Sequence, residues 1–172
     1  MAEVKGISIM VCGDLMSPDQ KHIQKANQYL QILTGKASYK ELHPSEWYDV
    51  RVYEYFMDTF AEASVTGEYA LVILGKRIYP RLNKLGVLPK SLTTPLDFIQ
   101  YEAQGFLDNH RGAGVVPRRF IKATAGEVIV HAPAPGYNSK LYEGIYLGIL
   151  DVCGVKTGKV KITAKDTFHI SW

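Results

Sequence analysis

Residues 106–139 read FLDNHRGAGVVPRRFIKATAGEVIVHAPAPGYNS. An apolar helical segment runs into Asn109-His110, a two-strand pattern follows, and the polar tripeptide Tyr137-Asn138-Ser139 opens another helix. The strand-like runs are Arg118–Thr124 and Glu127–His131, joined by Ala125-Gly126 as a tight hairpin and closed by Pro133-Ala134-Pro135-Gly136. That succession reads as an α+β fold in which a helical layer covers one face of an antiparallel sheet.

Upstream of it, Thr94 before Pro95 opens a helix whose Phe98, Ile99, Ala103, Phe106 and Leu107 form one buried side, ending near His110-Arg111-Gly112. Leu71, Leu74, Ile78 and Leu82 recur every three or four residues, which predicts a helix over Glu68–Leu82, kinked or ended by Pro80. Ser45 can cap an earlier helix in which Trp47, Val50, Tyr53, Phe56, Met57 and Phe60 share a wide apolar face. The following helix is its expected partner. Lys36–Pro44 reads as loop. Before it, Ser17 and Pro18 are good N-cap and first-turn residues for a helix carrying Ile23, Ala26, Leu30 and Leu33, stopped by Gly35. Val4–Cys12, rich in β-branched residues and closed by Gly13-Asp14, reads as a strand and turn. Downstream, Ser139–Val152 is helical, with Gly144 and Gly148 four apart so that another backbone can approach closely. Lys159–Ala164 and Thr167–Trp172 alternate as two final strands.

Composition narrows the function classes. A chain of 172 residues without an internal repeat or visible linker reads as one ligand-binding or sensor-like domain over 1–172. Cys12 and Cys153 are the only cysteines, each inside apolar sequence, so a disulfide framework and a four-cysteine zinc site are excluded. A reducing cytoplasm fits them. The formal charge of +3 is dispersed, which gives no nucleic-acid footprint, and no apolar stretch has the length or flanks of a membrane span or signal peptide. His22, His43, His131 and His169 lack zinc-motif spacing. With no nucleophile elbow and no phosphate loop, no catalytic machinery is visible.

The succession Trp47-Tyr48-Asp49 before an apolar helix, Leu74-Gly75-Lys76-Arg77-Ile78-Tyr79-Pro80-Arg81-Leu82, Phe106-Leu107-Asp108-Asn109-His110, the Gly126 hairpin and Tyr137-Asn138-Ser139 resembles the heme-nitric-oxide/oxygen-binding (H-NOX) sensor fold. The resemblance runs from about Trp47 to the C-terminus, and 4-vinyl-reductase-type ligand-binding domains share the architecture. It implies heme as cofactor, His110 as iron ligand, and a Tyr-x-Ser-x-Arg motif for the propionates that matches Tyr137, Ser139 and Leu141. Where the family has arginine this chain has Leu141, and neighbouring Lys140 supplies a differently placed point charge in place of a bidentate clamp.

The same residues also have structural readings. His110 beside Arg111 can be a helix-end residue favoured by the macrodipole. Tyr137-Asn138-Ser139 can be a turn and N-cap, and Arg118-Arg119 a solvated basic pair on a half-exposed strand. The two cysteines read as packed thiols. Two functions follow. One is a non-enzymatic sensory module that holds a small apolar molecule or tetrapyrrole and signals to a downstream protein. The other is a heme-free interaction module with a filled pocket that pairs, as a homodimer for instance, through exposed helix faces.

Overall fold

The computed structural model describes residues 1–16 and 20–172. β1 (Ala2–Lys5) passes directly into α1 (Gly6–Met16), so the strand expected over Val4–Cys12 stops at Lys5. The buried residues Ile9, Cys12, Gly13 and Met16 step by three and four, which is a helical face. Apolar residues all round this helix hid that periodicity, because a helix buried on most sides has no polar stripe. α2 (Gln20–Thr34) follows, and the caps expected at Ser17 and Pro18 lie outside the described residues. The loop over 36–44 holds one 3₁₀ turn at Tyr39–Glu41, capped by the Ser38 side chain.

Trp47–Asp49 forms β2, not the first turn of a helix, because it pairs antiparallel with Lys5–Glu3. Asp49 then caps α3 (Val50–Ala63) by accepting the Arg51 N–H at 3.0 Å, the role expected of Ser45. The apolar face of α3 lies chiefly on α2, not on α4 (Tyr69–Lys84) as expected. α4 runs through Pro80 for one more turn, since proline removes only the bond to the Lys76 carbonyl. Its main neighbour is α6 (Ser139–Val152). A Cβ on Gly75 would stand 2.2 Å from the Leu141 carbonyl oxygen and one on Gly144 2.2 Å from that of Val72, so the expected close backbone approach is made onto α4.

α5 (Pro95–Asn109) opens on a reciprocal box: Thr94 Oγ1 accepts the Asp97 N–H at 3.3 Å and Asp97 Oδ2 accepts the Thr94 N–H at 2.8 Å. It ends in β3 (His110–Gly112), which pairs antiparallel with β1 so that His110 stands opposite Val4. β4 (Arg119–Thr124), β5 (Glu127–His131), β6 (Lys159–Ala164) and β7 (Thr167–Ser171) form a second sheet in the order β4-β5-β7-β6. The fold is therefore α+β with two antiparallel sheets, the first in the order β2-β1-β3. Val128, Val130, Phe168 and Ile170 on the inner face of the second sheet are fully buried, and α6 is the helix that rests there.

No helix among the described residues is long and apolar enough to cross a membrane.

Candidate functional site

His110 is fixed from three sides. Its backbone is extended and held in β3, and its ring stacks on Phe106 at 4.3 Å between centroids. Its Nδ1–H donates to the Phe106 carbonyl oxygen at 2.8 Å, while Asn109 Nδ2 donates to the Gly105 carbonyl at 2.7 Å. Two side chains thus satisfy carbonyls that the last turn of α5 leaves without partners. With the proton on Nδ1, the lone pair lies on Nε2, which accepts the Tyr137 hydroxyl at 2.6 Å.

The macrodipole reading of His110 required a charged ring and is corrected by this environment. The residue is only 7 % exposed. Burial, with the Arg118 cation adding to it, pushes the imidazole down to about 4, so it is neutral at physiological pH.

Tyr137 reaches His110 because the loop before α6 is pinned. Asn138 Oδ1 accepts the Lys140 N–H at 2.9 Å as the N-cap, and Asn138 Nδ2 donates to Glu68 at 2.9 Å. The turn-and-cap role is therefore real, yet Tyr137 is also packed edge-on against Tyr53 at 4.8 Å and parallel to Tyr142 at 6.3 Å. Ser139 is the first helical residue behind the cap. Lys140 turns to Glu143 at 2.7 Å, with its side chain 41 % exposed. Of the four residues singled out from sequence, the structure brings His110 and Tyr137 together and binds Lys140 to an acid of its own helix.

Behind His110 lies a buried ion pair that the sequence did not reveal. Arg118 was expected on a solvated face, but its side chain is fully buried. Its Nη2 donates to Glu102 at 3.1 Å and its Nη1 to the Pro133 carbonyl at 2.7 Å. The guanidinium lies 3.6 Å from the centre of the Phe106 ring and 4.6 Å from that of Tyr142, and Tyr146 donates to the other Glu102 oxygen at 3.3 Å. Burial opposes the guanidinium charge, and Glu102 beside it more than offsets this, holding its pKa above the ordinary value. Arg118 Nε alone among these groups is buried without a partner. The sequence offered one signal for Glu102: it falls on the apolar face of α5 with Phe98, Ile99 and Phe106. Nothing distinguished Arg118 from Arg119.

Glu102, Phe106, His110 and Tyr142 border a cavity of about 220 Å³ between α1, α4, α5 and α6. Its walls are aliphatic at Ile7, Val11, Ile78, Leu82 and Ile145, and polar at Glu102, His110, Tyr53, Tyr79 and Tyr142. Cys12 lies on the wall 3.0 Å from the Tyr53 hydroxyl, and burial pushes its thiol up to about 12. It is the inert packed thiol its apolar surroundings imply.

No protein-family model and no curated protein matches the chain. Solved structures do. The Fe(II) unliganded H-NOX protein from K. algicida superposes with a TM-score of 0.66 at 12 % identity, over 97 % of this chain and 95 % of that one. A point mutant of the same protein gives 0.67 at 13 % identity with the same coverage, and a variant of Tt H-NOX gives 0.65 at 12 %, over 97 % and 94 %.

The fold is the H-NOX fold. It extends over the first helices as well, beyond the span from Trp47 that carried the resemblance in sequence.

The residues in place do not fit an H-NOX heme. The Nε2 lone pair that iron would take is occupied by Tyr137. Leu141, 2 % exposed and packed in the core, gives no charge for a propionate. His110 and Leu141 both line the cavity of about 220 Å³. Among the described residues no group of three or more His, Cys, Asp or Glu side chains could hold another metal.

Proposed function

We propose that this chain is a heme-free, non-enzymatic sensory module that takes a small, largely apolar molecule into the cavity between α1, α4, α5 and α6. The observation that carries the reading is the His110–Tyr137 hydrogen bond at 2.6 Å, whose histidine lines the cavity and which ties the end of α5 to the start of α6. A dry apolar cavity of ~150 Å³ holds benzene, so about 220 Å³ has room for one or two fused rings. The polar wall selects a ligand with a single hydrogen-bonding group: Tyr79 is buried and faces the cavity, with Glu102 already paired to Arg118. A ligand favouring one position of the α5–α6 junction shifts the population of that junction, and a protein partner reads the difference.

The test has two arms. In the first, the purified protein is incubated with hemin and its visible spectrum recorded. No Soret band is expected, and a band that disappears in His110→Ala would overturn the heme-free reading. In the second, thermal unfolding is followed with indole or phenol, with Ile145→Trp as the filled-cavity control. A rise in midpoint that saturates with probe and is lost in the variant supports the cavity as the binding site. Absence of any such rise would leave the filled-pocket interaction module as the function.

A further inference from the structure

We infer that the outer face of the β4-β5-β7-β6 sheet is a docking surface for an acidic protein segment that carries an apolar residue among its carboxylates. The register fixes which side chains share that face. Across the sheet one row is Thr124, Glu127, Ser171 and Lys159, the next Lys122, Ile129, His169 and Lys161, and the third Arg119, His131, Thr167 and Ala164. The alternate residues Val128, Val130, Phe168 and Ile170 are buried on the other side, which settles the direction.

Charge distribution makes this face different from the rest of the molecule. Arg119, Lys122, Lys159 and Lys161 stand against Glu127 alone, giving a formal +3 with histidines neutral. The whole chain also carries +3 from 20 cations and 17 acids, so the sixteen cations and sixteen acids outside the face cancel. Glu127 is engaged by Lys122 and, at 2.9 Å, by His169. Arg119, Lys159 and Lys161 are exposed, and none takes part in an ion pair found among the described residues. Among the described residues the main helix contact with this sheet is that of α6, which rests on the opposite side with Val128, Val130, Phe168 and Ile170.

The pattern favours protein over other polyanions. Ile129 lies at the centre of the middle row between Lys122 and His169, and the bulge between Phe120 and Lys122 leaves Ile121 52 % exposed at the β4 edge. An apolar centre inside a charged rim is the anatomy of a protein interface. Lys122 and Lys161 are three strand spacings apart, about 14 Å, which suits carboxylates on both flanks of one short segment. A phosphate backbone has no apolar side chain to set against Ile129 or Ile121. A bilayer surface would call for exposed large apolar side chains in the middle of the face, where Ile129 is half-buried.

The full chain is titrated into a fluorescein-labelled peptide in which leucine is flanked by glutamates, with anisotropy as readout. The expected result is binding that weakens with salt and falls roughly tenfold or more in Lys122→Glu/Lys161→Glu, while the exposed control Lys21→Glu/Lys84→Glu, away from the face, keeps it. The charge-reversed variant should instead bind the matching lysine–leucine peptide. Absence of peptide binding, an equal loss in the control pair, or tighter binding to duplex DNA or to phosphatidylserine vesicles would overturn the inference.

Discussion

His110 and Tyr137 close a 2.6 Å hydrogen bond in which a phenol donates to a neutral imidazole, at the point where α5 ends and α6 is about to begin. The bond exists because each partner is held from behind: His110 through its Nδ1–H on the Phe106 carbonyl, and Tyr137 through a loop fixed by the Asn138 cap. A neutral ring buried this deeply couples the fold to pH.

The first prediction follows from that coupling. An unfolded histidine titrates near its ordinary value of 6.5, while in the fold burial pushes His110 down to about 4. Between those values the unfolded chain binds the extra proton, so this contribution is complete above 6.5 and is lost as pH falls toward 4. Its full size is about 3 kcal/mol. Urea unfolding at about pH 7.5 and about pH 4.5 should show a larger loss in the wild-type chain than in His110→Gln. Equal losses in the two would show that His110 does not carry the effect.

Removing the donor should move the ring itself. Tyr137 stabilises the form of His110 that keeps a lone pair on Nε2, so Tyr137→Phe favours protonation and shifts the titration upward, toward 6.5. Following the imidazole carbon-bound protons by NMR across the acid range measures this directly. A titration in the variant identical to that of the wild type would mean the hydroxyl is not engaged in solution.

The Arg118–Glu102 pair gives a third prediction. Both side chains are buried, so deleting one partner leaves a charge without compensation. Arg118→Leu should cost ~3–5 kcal/mol in denaturant unfolding. Glu102→Leu/Arg118→Leu should cost less than the single change, because no lone charge is left behind. If the double variant is the less stable of the two, the pair contributes net stability beyond its own desolvation.

Elements whose signals are local were legible in the sequence. The Thr94-Pro95 start of α5, the Gly126 hairpin and the start of α6 behind Asn138 each depend on residues within a turn of one another, and α5, β5 and α6 lie where the pattern places them. Elements defined by a distant partner were not. Trp47–Asp49 is a strand only because Glu3–Lys5 lies beside it, and His110 belongs to β3 for the same reason. At the site, the meeting of His110 and Tyr137 could be expected only through a family likeness. Arg118 could not be told from Arg119, because alternation in a short strand does not say which face is covered. Leu141 was legible as the wrong residue for a heme clamp, but its place in the core depends on the α4–α6 contact.

That contact supplies the last prediction. α4 and α6 approach so closely that a Cβ on Gly144 would lie 2.2 Å from the Val72 carbonyl oxygen and 2.9 Å from the Lys76 nitrogen, both backbone atoms that cannot rotate away. Gly144→Ala must therefore push the two helices apart, disturbing Leu141 and Ile145 on the cavity wall, at a cost of ~1–3 kcal/mol or more. Gly105, also helical, has nothing within 4 Å of where its Cβ would be. Gly105→Ala relieves only the backbone entropy of glycine and should stabilise by roughly 0.5–1 kcal/mol. The two alanine variants should thus shift the thermal midpoint in opposite directions, and Gly144→Ala should also lose the midpoint rise given by indole. A Gly144→Ala protein as stable as the wild type would show that the helices are not in this close contact.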